Sequence, residues 1–194
     1  MVAPRDAERT RDLLLDAGLA CFAERGFDGT SIRAIAARAG LSLGLLYHYF
    51  PSKEALLHEL MQRSGGLIQA VFVEVAAEAD AQRRLEALVR VSIRSMRDHL
   101  PFYRLSAKMR AQPEVMGALA EHIPAFEAAL VAQFTALLDE VGMEAPQAHA
   151  RLLIATLDGV CFQFATSPET YPLDDVGERI LALLTTPPAP RGKR

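Results

Sequence analysis

Residues 30–50 read TSIRAIAARAGLSLGLLYHYF, and the fold turns on how this run divides. Thr30 or Ser31 can cap the free amides of a short helix. Ile32, Ile35, Ala36 and Ala39 then repeat at helical spacing and make its buried face. Gly40 breaks that helix, and Ser42 is a good N-cap for a second short one running to about Tyr49. Leu46 and Phe50, four apart, point inward, which leaves Leu43, Gly44, Tyr47 and His48 outward. Pro51 ends the segment, because proline disfavours a helical residue before it. Two short helices joined by a tight glycine-containing turn are a helix-turn-helix.

Working outward, the preceding residues predict a helix from about Asp6 to Arg25. Leu14, Ala17, Gly18, Cys21 and Phe22 form one apolar stripe on it. Gly26 ends it in a left-handed conformation, and Phe27 follows as an apolar anchor. On the other side, Ser52 caps a fourth helix that begins at Lys53 and carries Leu56, Leu57, Leu60 and Met61 inward. Ser64-Gly65-Gly66 is its weak point, taken as a rough domain boundary, although the helix can also run straight through. Further helices are marked by their breaks. One precedes Asp80, one spans about Ala81 to His99, and Pro101 and Pro113 suit first turns. Pro124 breaks or kinks the chain before a segment to Val141, which Gly142 ends. Two last helices lie near Pro146–Thr166 and Asp174–Thr185. The tail from Pro187 to Arg194 is proline-rich and basic, and is expected to be disordered.

The fold expected is therefore all-α. A helix-turn-helix domain occupies residues 1–65, a helical domain 66–186, and a tail 187–194. Half of the 194 residues are apolar, enough for a sizeable core. No apolar run reaches membrane-span length, and Met1 to Arg11 lacks a secretory apolar stretch, so a cytoplasmic protein is expected. Cys21 and Cys161 read as separate core thiols.

The net charge is −3, which looks wrong for a protein that meets phosphate. Its distribution matters more. From Thr30 to Lys53 there is no Asp or Glu, while Arg33, Arg38 and Lys53 are basic. The acidic excess lies after residue 65.

The run Thr30–Ala36, then Ala39-Gly40-Leu41-Ser42, Gly44, Leu46-Tyr47-His48-Tyr49-Phe50 and Ser52–Leu56, resembles the DNA-binding segment of the TetR family of bacterial regulators. Phe22–Phe27 fits the same pattern. The resemblance covers roughly the first 60 residues; beyond them only Leu157–Gln163 is similar. It implies a homodimer with an N-terminal reading head and a C-terminal ligand and dimer domain, most members being repressors that release DNA on binding a small molecule. It implies that Ser31 and Arg33 touch phosphate. Ser42 and Gly44 open the recognition helix, with Gly44 allowing close approach. Tyr47, His48 and Lys53 hold phosphate. Leu43 and Leu45 occupy variable positions of the pattern. Neither can hydrogen-bond a base; a leucine that reaches the groove floor can only favour a thymine methyl, leaving much of the specificity to Arg33 and to DNA shape.

The C-terminal part is rich in Met and Phe, as a pocket for an apolar or amphipathic effector would be. Met96, Met109, Phe126 and Phe162 are its apolar candidates, and His99, Tyr103, Asp158 and Gln163 its polar ones. Leu152, Ala155 and Gly159, with Ile180 and Leu184, are the candidate dimer surface. The partners expected are thus a pseudo-palindromic duplex operator, a small-molecule effector and a second copy, with no membrane. An enzyme is disfavoured: the histidines are scattered, no paired carboxylates or nucleophile with its base stand out, no cofactor is implied and no metal spacing is found. A helical binding module whose reading head no longer works is the other alternative.

Overall fold

The computed structural model describes residues 4–110 and 123–185. Within them the chain is helical, in the order α1 (Pro4–Arg25), α2 (Ile32–Arg38), α3 (Leu43–Tyr49), α4 (Lys53–Ala76), α5 (Ala81–Asp98), α6 (Leu100–Arg110), α7 (Ile123–Glu140), α8 (Pro146–Thr166) and α9 (Leu173–Thr185). The expected helix start at Pro113 and the tail from Pro187 lie outside the described residues.

The chain forms two compact units. One holds the described residues of 1–70 and 99–125, the other those of 71–98 and 126–194. Gly65 and Gly66 do not interrupt α4, which continues to Ala76. Two glycines cost a helix only about 1 kcal/mol each, which apolar neighbours on the same helix, such as Leu60 and Val71, offset by burial. The first unit is also discontinuous in sequence. α6 lies against α1, and its Leu105 is fully buried in the same core as Leu14, Phe22 and Leu46.

That core is built from the expected positions. Leu14, Ala17, Cys21 and Phe22 of α1 meet Ile35 and Ala36 of α2, Leu46 and Phe50 around α3, and Leu56, Leu57 and Leu60 of α4. The turns between the helices are closed by main-chain geometry. Gly40 sits at φ +68, a left-handed position that costs an L-residue about 1–2 kcal/mol. Around it the Leu41 amide donates to Ala36 O at 3.0 Å and the Gly40 amide to Ala37 O at 3.1 Å, the paired bonds of a Schellman C-cap. The three short-turn serines all cap: Ser31 Oγ accepts from the Ala34 amide at 3.2 Å, Ser42 Oγ from Leu45 at 3.2 Å and Ser52 Oγ from Ala55 at 3.1 Å.

Thr30 has another part. It is buried, and its Oγ1 lies 2.7 Å from Gly26 O and 3.1 Å from Cys21 O, sharing its proton between carbonyls at the end of α1.

The second unit packs α5 against α9, with α8 against α9. Leu85, Leu88, Val89 and Met96 of α5, Leu138 of α7, Leu153 and Val160 of α8, and Ile180 of α9 are all buried. Asp80 caps α5 through the Arg83 amide at 2.8 Å. Proline stands in the first turn of α6, α7 and α8, where a missing amide costs nothing. Cys161 is half-buried rather than a core thiol, and neither cysteine forms a disulfide.

Replacing Thr30 by Val leaves two buried carbonyls without this donor. The expected loss is about 1–3 kcal/mol of stability, read as a lower urea midpoint. Gly40→Ala should cost about 1–2 kcal/mol by its backbone alone, since an added Cβ meets nothing within 4 Å.

Candidate nucleic-acid interface

α3 is seven residues long, and its faces follow from the helical period. Measured from fully buried Leu46, successive residues advance by about 100°. Phe50, Leu43 and Tyr49 then lie within about 60° of Leu46, on the core side. Tyr47, Gly44, His48 and Leu45 fall on the remaining arc. Burial agrees. Phe50 is buried, and Leu43 and Tyr49 are half-buried and packed on the core. Tyr47 is 48% exposed, and Gly44 and His48 are exposed too. Leu45 is half-buried, yet is not among the side chains packed on that core. The outward position expected for Leu43 is therefore taken by Leu45. Leu43 is three residues before Leu46 and so falls back on the same side of the helix.

One other expected role is also redistributed. Lys53 does not project freely. Its Nζ donates to Phe27 O at 2.8 Å and to Thr30 O at 3.2 Å, and stands 4.1 Å from the centre of the Phe27 ring. The ammonium thus ties the start of α4 to the turn between α1 and α2, where a phosphate contact alone was expected. Arg38 is paired with Glu24 at 2.8 Å, and that hydrogen bond raises the guanidinium pKa. Arg33, by contrast, is exposed, with no ion pair or hydrogen bond among the described residues. Of the three cations in the acid-free segment, Arg33 alone has no such partner among the described residues.

Ser31 and Ser42 are exposed. Their oxygens are engaged as caps, which leaves each hydroxyl proton to donate outward. The His48 and Tyr49 rings meet edge-on at 5.4 Å. Gly44 has no neighbour within 4 Å of where a Cβ would stand, so nothing inside the protein requires its smallness. Glu54, the first acid after the segment, has its carboxyl held below the ordinary carboxylate range by its own backbone amide, then by the Ser52 hydroxyl and the Lys53 charge. What it adds to stability is present above the unfolded pKa and fades as pH falls through the lower folded one.

The C-terminal candidates do not converge in the same way. Met96 is buried in the second unit's core. His99 and Tyr103 belong to the first unit, exposed and half-buried respectively. Phe126, Asp158, Phe162 and Gln163 are exposed, and the side chain of Met109 lies outside the described residues. The second unit carries an open groove of about 600 Å³ between α7 and α8, lined by residues such as Val131, Thr135, Gln147 and Arg151; none of the expected pocket residues line it.

Among the dimer candidates, Leu152 is 64% exposed, Ala155 is exposed, and Gly159 and Leu184 are half-buried. Leu152, Ala155 and Gly159 continue to Phe162 at helical spacing, an unpartnered stripe on α8. Ile180 is only 6% exposed and faces its own unit's core; Leu183, at 81%, is the outward leucine of α9 that sequence reasoning missed. Its neighbour Leu184 lies about 100° away, so a burial pattern, not composition, separates them.

The class that this fold and site define is a helix-turn-helix protein with a helical C-terminal domain. The TetR family's N-terminal domain, described as bacterial regulatory proteins, matches residues 14–60, and the tetracyclin repressor-like C-terminal domain matches residues 76–186. The chain belongs to the TetR family of bacterial transcription regulators. Its sequence is 41% identical over 86 residues to the HTH-type transcriptional repressor KstR2 of Rhodococcus jostii, covering 42% of this chain and 41% of that one. It is 37% identical over 84 residues to the regulator BetI of Burkholderia ambifaria, covering 42% and 43%. The chain thus spans less than half the length of these curated relatives. Over more than nine-tenths of its length its fold is similar to that of solved structures, two of them as follows. The fatty acid degradation regulator FadR of Bacillus halodurans has a TM-score of 0.76 at 20% identity, covering 95% of this chain and 96% of that one. A putative transcriptional regulator of Pseudomonas aeruginosa PAO1 has 0.73 at 25%, covering 94% and 90%. No described helix is long and apolar enough to cross a membrane.

Lys53→Met should lower the thermal midpoint of the DNA-free protein by several degrees, because two carbonyls lose a charged donor. Arg33→Ala should leave the midpoint unchanged. A calorimetric scan of both variants separates the two parts.

Proposed function

We propose that this chain is a sequence-specific DNA-binding repressor that works as a homodimer and leaves its operator when a small apolar or amphipathic molecule binds the C-terminal unit. The observation that carries the reading is the face of α3. An acid-free segment presents Tyr47, His48 and Gly44 on one arc, with Arg33 exposed on the preceding helix. Phosphate needs donors and no nearby carboxylates, and a recognition helix needs a side free of its own core. Membership of a regulator family and repressor relatives such as KstR2 support the same reading.

In this reading Ser31, Arg33, Tyr47 and His48 hold the phosphate walls of the major groove, and Ser42, Gly44 and Leu45 lie over base edges. Lys53 acts mainly by fixing the angle at which α3 is offered, with its third N–H left for phosphate. The stripe Leu152, Ala155, Gly159 and Phe162, with Leu183 and Leu184, is the surface that a second copy covers. Two heads must then stand about 34–36 Å apart, or a multiple of it, to read two half-sites. An effector needs only to favour a conformation in which that spacing is wrong. The FadR of Bacillus subtilis, similar in fold at 18% identity, was solved in complex with stearoyl-CoA, which makes long-chain acyl thioesters the first effectors to try here.

Selection from a random duplex library should enrich a pseudo-palindrome bound at about 10 nM or tighter at moderate salt. Affinity should fall steeply with salt. Arg33→Ala should weaken binding on every sequence alike and flatten the slope of log K against log salt by about one for each phosphate that the variant no longer neutralises. Weak binding with no enriched site, with and without acyl thioesters, would rule the reading out.

A further inference from the structure

We propose that Leu45 is the side chain with which this head distinguishes bases, by packing against the 5-methyl group of a thymine in the major groove. The inference rests on the DNA-binding reading above and narrows it to one residue and one atom of the operator.

The outward arc of α3 holds Tyr47, Gly44, His48 and Leu45. It has no amide, carboxylate or guanidinium. The bidentate pairings that read guanine through Arg or Lys, or adenine through Asn or Gln, are therefore unavailable on this helix. The Ser42 oxygen is already accepting from the Leu45 amide. What is left for direct readout, besides the Ser42 hydroxyl proton and two polar ring tips, is one aliphatic side chain. The only aliphatic feature that a base pair shows in the major groove is the thymine methyl.

Leu43 is not that side chain, because it is packed on the core formed by Leu46, Phe50 and Ile35. Leu45 is not part of that packing. Nor does the helix itself need a leucine there, since alanine is at least as good a helix former. Gly44 stands next to it with open space where a Cβ would be, so the helix can approach a base edge closely enough for Leu45 to touch a methyl.

The test replaces each thymine of the selected operator by deoxyuridine, which keeps base pairing and removes only the methyl. For the wild-type protein, one thymine in each half-site should show a loss of about fourfold, the factor given by burying one methyl group. Both half-sites together should give about sixteenfold. Leu45→Ala should bind the thymine and uracil operators equally. Leu43→Ala should lower the thermal midpoint and keep the discrimination. Should Leu45→Ala fold poorly by circular dichroism, Leu45→Gln serves instead; it should lose the methyl effect and shift the selected base at that position to adenine. A uracil scan that is flat for the wild type, or a methyl effect that survives in the Leu45 variants, overturns this inference while leaving salt-sensitive selective binding, and hence the DNA-binding reading, intact. Failure to bind any duplex selectively overturns both.

Discussion

The carbonyl groups at the end of α1 and in the turn to α2 collect donors from side chains of the turn and of α4. Their donors decide how the reading head is assembled. The Thr30 hydroxyl serves Gly26 O and Cys21 O from within the turn. Lys53 serves Phe27 O and Thr30 O from the first residue of α4. One hydrogen-bonded cluster therefore fixes the end of α1, the entry to α2 and the start of α4. α3 lies between them in sequence, seven residues long and anchored by buried Leu46 and Phe50. Charge-assisted bonds at a part-buried site contribute more than exposed ion pairs such as Arg38–Glu24, which are worth little in water.

This division of labour accounts for the charge of the segment. A chain with net charge −3 can still meet phosphate if carboxylates are kept away from the contact face. The segment from Thr30 to Lys53 achieves that by having none. Yet two of its three cations have partners within the chain, Lys53 on carbonyls and Arg38 in an exposed pair with Glu24. Electrostatic attraction at the face then depends on Arg33, hydroxyl protons and main-chain amides, and the apolar contribution of Leu45 gains relative weight.

The C-terminal unit is organised differently. Its core uses α5 and α9 against each other, with ion pairs around the rim: Arg97 with Asp174, Arg94 with Glu74, and Arg84 with Glu140 at 2.9 Å. Each links a different pair of helices. Apolar side chains are left exposed at Leu152 and Phe162 on α8 and at Leu183 on α9. Such patches are where other molecules meet a protein.

Local chemistry made the head legible from residues alone. Ser31, Ser42 and Ser52 cap because their side chains reach amides three residues on, and Gly40 ends α2 because only glycine takes that φ without penalty. The apolar stripe of α1 and the inward pair Leu46 and Phe50 follow from the helical period. What lay beyond reach were choices between neighbours that local pattern leaves open. Leu43 and Leu45 are both leucines flanking Gly44; the helical period counted from Leu46 already favours Leu43 for the core side, and its packing in the folded head decides it. Thr30 and Ser31 are equal as caps until one is drawn under α1. Lys53 reads as a surface charge until carbonyls 23 and 26 residues earlier are seen to need it. Ile180 and Leu183 are one turn apart, and only the helix packed against α9 says which is inward. Gly65 and Gly66 marked a break that the burial of the residues around them overrides. The helices, the capped ends of the short ones and the family were readable from the residues in order, because these depend on interactions within a few positions. Which side chains remain free to act emerged only from the folded chain, because that depends on what its distant parts have already claimed.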